Sequence, residues 1–404
     1  MNSGDYVVYD VIIIGAGASG MMCGSFLKYK KNDLKILVLE KNDKVGKKLS
    51  MTGNGKCNIG NTNLNITKFH SNSDLKRFRK GIESNDYIPF LEKIGILTTT
   101  EDERIYPYSM QAIGVCKSFE RYLVSNGVQI KYNYKVTKID KICDEFIIND
   151  EIKCKKLVVA TGGITYPKTG STGDGYNLLK VLGHTITDIY PSLTYLVTNY
   201  KYQKELQGVR VNALATLVVD NKVIKTEKGQ VQFTKNALSG ICIFNLSRNV
   251  KKYLNNNQSV LVSLDLIPEY KSLKEYFKQF QSYKIQDALS CVINNKIAIA
   301  ICKELKVYDM LLSDIDDDKY NMIVSKLKKM KFNIIDVGDE LVAQVSNGGV
   351  SLDELNDYLQ SKIINSLYVI GELVDVDGDC GGYNLSWAFN SAILASLSIL
   401  DRLV

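Results

Sequence analysis

Asp10-Val-Ile-Ile-Ile-Gly15-Ala-Gly17-Ala-Ser-Gly20 decides the fold. A short β-branched apolar run of this kind reads as a buried parallel strand. The glycines that close it are spaced G-x-G-x-x-G, and small residues predict a helix from about Ala18 to Tyr29. Gly15 permits a tight turn, Gly17 lets the backbone approach a pyrophosphate, and Gly20 lets helix and strand pack closely. Ala16, Ala18 and Ser19 fill the loop and the helix start, whose unpaired N–H groups face the phosphates. A second strand, Lys35-Ile-Leu-Val-Leu-Glu40, completes a βαβ opening. Glu40 stands twenty residues beyond Gly20, where a carboxylate binds ribose hydroxyls and repels a 2′-phosphate.

Outward from this unit the same signals recur. Lys156-Leu-Val-Val-Ala-Thr-Gly-Gly163 and Ser366-Leu-Tyr-Val-Ile-Gly-Glu372 each read as a strand running into a small-residue turn. Asn384 to Leu403 reads as a closing helix. Between them, about Ser192 to Phe233, apolar and polar residues alternate, with a hairpin turn expected at Asp220-Asn-Lys222. From about Ser272 to Lys329 the pattern is helical and Lys-rich, and Phe332 to Val345 returns to strand character. The expected architecture is α/β: a discontinuous Rossmann-like domain, residues 1–190 and 346–404. A β subdomain (191–270), a helical subdomain (271–330) and return strands (331–345) are inserted between its halves.

The stretch Lys44-Val-Gly-Lys-Lys-Leu-Ser-Met-Thr-Gly-Asn-Gly-Lys-Cys-Asn58 is too polar and glycine-rich for a core helix. It resembles the segment of two-dinucleotide-binding-fold flavoproteins that runs along the pyrophosphate toward the isoalloxazine, which selects FAD over a plain NAD site. Gly53-Asn-Gly-Lys-Cys-Asn58, Arg104-Ile-Tyr-Pro-Tyr-Ser109, Ala160–Tyr176, Gln232–Gly240 and above all Gly371–Phe389 look like the BaiN/RdsA (YhiN-like) family of FAD-dependent oxidoreductases. The motifs fall in order over nearly the whole chain.

The resemblance implies an FAD site built from both ends of the sequence. It places Lys41, Lys48, Leu49, Gly53, Asn54, Gly55, Lys56, Cys57 and Asn58 along the cofactor. Val136 would lend backbone atoms to adenine, and Ala160, Thr161 and Gly162 would pass near the pyrophosphate. Gly371, Glu372 and Asp377 would hold the ribityl chain and phosphates. Gly382, Tyr383, Asn384 and Leu385 would stand at the last helix's N-terminus, which stabilises negative charge on the reduced flavin. Two departures from the family pattern, Lys235 after Phe233-Thr234 and Ser346-Asn347 before Gly348-Gly349, bear on the substrate face.

The family implies reduction of a C=C bond conjugated to a carbonyl. The suggested acceptors are uridine in large-subunit ribosomal RNA or an enone of the bile-acid type, with NAD(P)H as reductant. No second G-x-G-x-x-G offers the nicotinamide a domain of its own. Candidate proton donors are Cys57, Tyr383, Tyr166 and Cys380. A thiol pKa lowered by Lys56 and loop N–H groups is expected for Cys57. An amine oxidase and a non-catalytic FAD-stabilised binding protein are the alternatives.

Composition narrows the classes further. The chain of 404 residues is long enough for two or three cores. Nine scattered cysteines with no C-x-x-C pair, and two histidines, His70 and His184, speak for reduced thiols and against a metal site or a Ser-His-Asp hydrolase. Both histidines read as structural or solvated. A net charge of +7 permits an anionic partner such as RNA. An acidic start leading into a glycine loop contrasts with a signal peptide, and no apolar run approaches the length of a membrane span. The chain is expected to be soluble and cytoplasmic.

Overall fold

The apolar run Val8–Ile14 lies inside a seven-stranded sheet, its last four residues fully buried. In the computed structural model, which describes residues 8–401, Ile36–Leu39 pairs parallel to it on one side, Val11 against Ile36 and Ile14 against Leu39. Gln129–Lys131 adds outside that strand. On the other side runs Ile152–Val159, which serves two partners. Its first residues pair antiparallel with Glu145–Ile148, followed by Ile139–Ile142. Its last pair parallel with Leu367–Val369, Leu157 against Leu367 and Val159 against Val369. A strand from the last tenth of the chain thereby enters the sheet made by its first 160 residues.

The glycine-loop helix Ala18–Lys30 and the closing helix Tyr383–Asp401 pack on each other over this sheet. Both carry small residues on the contact, and Ser396 Oγ reaches Cys23 Sγ at 3.4 Å. The helix expected from Asn384 starts one residue earlier; its predicted end, Leu403, lies outside the described residues. No helix among the described residues is long and apolar enough to cross a membrane.

The chain divides into two units, residues up to Tyr190 with those from Gln344 onward, and Pro191–Ala343. The second is built on a closed barrel of six antiparallel strands: Leu196–Thr198, Ala237–Ser239, Lys222–Phe233, Arg210–Val219, Val260–Asp265 and Met330–Val337. The hairpin turn is Asp220-Asn221, both left-handed (φ 47° and 64°), and Lys222 already belongs to the strand. Two left-handed residues give the turn whose twist suits paired strands. Helices Lys274–Gln279, Ile285–Ser290, Asn295–Leu305 and Asp317–Lys328 close one core with the barrel, in which Ile297, Ile301 and Leu327 meet Val262 and Phe332. Segments 191–270, 271–330 and 331–345, expected as separate pieces, therefore share a single hydrophobic interior. The return stretch leaves strand conformation after Val337 and turns through 339–342.

Candidate functional site

The glycine loop is shaped by contacts that exclude side chains. Gly15 has φ +103°, and a Cβ there would come within 2.6 Å of the Ala160 carbonyl oxygen. A Cβ on Gly20 would strike the Gly15 carbonyl. Around Gly17, in contrast, a Cβ would meet nothing within 4 Å, so this residue faces open space. Gly17 caps the helix without a side-chain bond, and no acid stands in the first turn. The amides of Ala18 and Ser19 find no acceptor among the described residues. Orphan N–H donors beside an open cradle fit an anionic group such as a pyrophosphate.

Glu40 is buried at the end of its strand. One carboxylate oxygen accepts from Ala16 N–H at 2.8 Å, and the other accepts from the Asn42 backbone (2.8 Å) and side-chain amide (2.7 Å). Three of roughly four acceptor positions are used, which leaves one for a ribose hydroxyl. The backbone of 133–134 returns to the same place, where Asn133 and Tyr134 N–H donate to the Asn42 and Glu40 carbonyls at 2.9 Å each. Val136 follows, buried. Lys41 turns away to bond Thr172 and Asp174, a tie between chain segments that spacing did not predict.

The loop Leu49–Gly55 winds through left-handed backbone at Gly53, Asn54 and Gly55, and Cys57 (φ 62°) continues it. Leu49 is buried; Gly53, Asn54 and Lys56 are exposed. Cys57 turns inward to zero exposure, and its N–H donates to the Thr52 carbonyl at 3.0 Å. Burial pushes its thiol up to about 12, against the lowered value expected from Lys56 and the loop amides. The cause is removal from water, which penalises the thiolate more than the neighbouring Thr52 hydrogen bond favours it. Asn58 stands between the chain ends. Its amide nitrogen donates to the carbonyls of Gly60 (2.8 Å) and Ile105 (3.2 Å), and its oxygen accepts from Gly382 N–H at 3.0 Å.

The last part of the chain meets the first part at two points, the glycine-loop helix and the segment Asn58–Gly60. Gly371 (φ 72°) lies so close to the helix start that a Cβ would sit 2.5 Å from Ser19 Oγ. Its N–H donates to Ser391 Oγ at 3.0 Å, and its carbonyl accepts from Trp387 Nε1 at 3.0 Å, so the closing helix fixes it. Gly382 (φ 98°) is pressed on Gly60, whose carbonyl a Cβ would strike. Asp377 is buried and pairs with His70 in a short antiparallel ladder. Asn384 clamps Gly378 with both amide atoms, at 2.8 and 2.9 Å. Tyr383 is buried edge-on to Phe69 (5.6 Å between ring centres), and burial together with nearby Glu103 and Asp379 raises its phenol pKa. Leu385 packs on the main core. Of the other candidate donors, Tyr166 is half-buried in left-handed backbone (φ 56°), and Cys380 is half-exposed with its Sγ 3.7 Å from Gln344 Oε1.

One network escaped the sequence reading. Lys48 Nζ pairs with Glu372 at 2.7 Å and donates to Thr165 Oγ1 at 2.8 Å, while the second Glu372 oxygen accepts from Ser346 N–H at 2.8 Å. Ser346 Oγ accepts from Ile164 N–H at 2.8 Å. Ser346 and Asn347 are buried at 1% and 2% exposure, so this departure from the family pattern is an interior one and presents no surface to a substrate. The signal was available in part, as an acid and a lysine both assigned to the cofactor. Lys235 is exposed. His184 bridges Glu354 (3.0 Å) and Ser361 (2.9 Å) in the interior, and His70 pairs with Asp379 at 2.9 Å. No group of three or more His, Cys, Asp or Glu among the described residues is arranged to hold a metal.

A 3-dehydro-bile acid delta(4,6)-reductase of Clostridium scindens is 28% identical over 408 residues, covering 96% of this chain and 98% of its own. A ribosomal RNA dihydrouridine synthase of Haemophilus influenzae is 28% identical over 411 residues, with coverage of 96% and 98%. A flavocytochrome c3 fumarate reductase structure in an open conformation superposes with a TM-score of 0.48 at 14% identity, covering 100% of this chain and 79% of that one. Residues 9–398 match the HI0933-like protein Rossmann domain, and the chain belongs to that family.

Proposed function

We propose that this protein is an FAD-dependent oxidoreductase that reduces a C=C bond conjugated to a carbonyl. The observation that carries the reading is the meeting of Gly371 with Ser19 and of Gly382 with Gly60 and Asn58, which joins the glycine cradle to the closing helix's N-terminus. FAD supplies hydride chemistry to such a site when bound. The amides of Ala18 and Ser19 would take its phosphates, and Glu40 would take a ribose hydroxyl. Gly371, Glu372 and Asp377 border the chain between. The start of the nineteen-residue helix at Tyr383 would bring its positive end to one edge of the ring. Tyr383, which stands at the start of that helix and whose phenol is protonated at neutral pH like any tyrosine, is the proton donor of this reading. Cys57, fully enclosed, holds the loop's inner turn.

Both long relatives are named for reactions of this type, a bile-acid reductase and a dihydrouridine synthase. Uridine and a 3-oxo-Δ4 steroid each present a C=C next to a carbonyl, so one site logic serves either. Uridine in large-subunit ribosomal RNA is the substrate proposed first, with NAD(P)H as reductant. The enone is the second reading, supported by a relative of equal identity.

The deciding experiment deletes the gene, maps dihydrouridine in ribosomal RNA, and restores wild type, Tyr383→Phe or Cys57→Ala. Loss of one dihydrouridine, restored by wild type and Cys57→Ala but not by Tyr383→Phe, is expected. An unchanged map refutes the RNA substrate, and the purified protein is then assayed on enones with NADH and NADPH.

A further inference from the structure

Charge is divided unequally between the two units. Pro191–Ala343 holds twenty-two Lys and Arg against sixteen Asp and Glu, so +6 of the chain's net +7 sits in the inserted unit. Within it, residues 191–255 hold ten basic and three acidic residues. The acids gather instead on the helices, where Lys274, Lys278 and Lys319 are each paired with a carboxylate.

Part of the unpaired charge is concentrated around one segment. Residues 200–210 carry exposed Lys201, Lys204 and Arg210. Gln203 ties this segment to the turn bearing exposed Lys235, donating to the Thr234 and Ala237 carbonyls at 2.9 Å each. Lys296 ties it to the helix Asn295–Leu305 through the Gln207 carbonyl (3.3 Å), and Lys303 lies seven residues on, on the same helix face. None of Lys201, Lys204, Arg210, Lys235 and Lys303 has a carboxylate partner among the described residues. The acids of the region are Glu205 and Glu304, and Glu304 is taken up by Tyr200 and Lys326. Half-exposed Tyr202 lies amid these charges, edge-on to Tyr200 at 6.0 Å, with the Lys201 ammonium 5.2 Å from its ring centre.

We infer that this face of the barrel unit is a docking surface for single-stranded RNA. Lysines and an arginine without counter-charges follow a phosphate backbone, and an aromatic ring among them offers a stacking platform for a base. A membrane surface is a poorer match. The large exposed apolar side chains of this unit, such as Val223, Ile224, Met322 and Leu341, all lie outside 196–212, 234–237 and 295–306. The inference deepens the RNA reading above and shares with it only the choice of RNA as partner.

The test measures binding of a labelled single-stranded oligouridylate to the full-length protein over a range of salt concentrations. The triple variant Lys201→Gln/Lys204→Gln/Arg210→Gln is expected to bind at least tenfold more weakly. Its plot of log affinity against log salt should flatten by about two, since each lost phosphate contact removes about 0.7. Tyr202→Leu is expected to lose about tenfold with the slope kept. Lys274→Gln/Lys278→Gln/Lys319→Gln, on the helices, is the control. Thermal melting of each variant verifies the fold. Equal affinity in the first triple variant, equal loss in the control, or tighter binding of wild type to phosphatidylserine vesicles than to RNA overturns the inference. Enone reduction by a wild type that does not bind RNA removes this surface and leaves the flavin chemistry standing. Patch-dependent RNA binding by a wild type that reduces no C=C bond does the reverse.

Discussion

Gly382 and Cys57 show how much a single position is constrained by what surrounds it. Gly382 combines φ 98° with a carbonyl where a Cβ would go, so Gly382→Ala must move either the Gly60 strand or the start of the closing helix. Backbone strain of this kind costs about 1–3 kcal/mol before the clash is counted. A lower melting temperature and loss of the yellow colour on purification are expected together. Cys57 reads, from sequence, as a reactive loop thiol. The left-handed turn at the end of its loop swings the sulfur inward, where it is fully enclosed. Mass-spectrometric mapping after brief alkylation of native protein should find Cys143 and Cys291, both exposed, modified well before Cys57. Early modification of Cys57 would show that the loop opens and would revive its candidacy as proton donor.

At the scale of elements, the ion pair of Lys48 with Glu372 fastens the segment after the second strand to the turn after the last one, 324 residues apart. Both side chains are about one-fifth exposed, so the pair lies between a surface contact and a buried one. Removing one partner strands the other in a half-buried place. Lys48→Met or Glu372→Gln alone should cost about 1–3 kcal/mol by urea unfolding, and the double variant less than the sum. Additive losses would mean that the contact contributes nothing to holding these segments together. The barrel hairpin offers a test in the opposite direction. Asn221 sits at φ 64°, where glycine is at ease, so Asn221→Gly should leave stability unchanged or raise it by up to about 1 kcal/mol. A clear loss would point to a tertiary role for the asparagine side chain.

Over the whole molecule the buried thiols act together. Burial raises Cys23, Cys57, Cys154 and Cys302 to about 12 and Cys116 and Cys242 to about 11, from an ordinary value of 9.0. The folded chain holds these protons while the unfolded chain releases them above pH 9, so their stabilisation is full below that pH and is lost as pH rises toward 11–12. Each thiol tilts the balance toward unfolding by up to about 1.4 kcal/mol per pH unit in that window. The urea midpoint should therefore hold below pH 9 and fall increasingly steeply from pH 9 toward pH 11, and less steeply once buried thiols are replaced by alanine or serine singly. The sequence alone determined the βαβ opening, the late strand, the closing helix and the alternating barrel strands, because strand and helix periods are local properties of the chain. It also determined the positions of Gly15, Gly17, Gly20 and Glu40, since a turn, a close approach and a carboxylate at a strand end need particular residue types at particular spacings. Only the tertiary structure decided that Cys57 faces inward, that Ser346 is interior, that Lys48 meets Glu372, and that strand Ile152–Val159 pairs with both Val8–Ile14 and Leu367–Val369, from opposite ends of the chain. Each of these depends on which segments distant in sequence lie beside one another, and burial, pKa and ion pairing are properties of that company rather than of the residue.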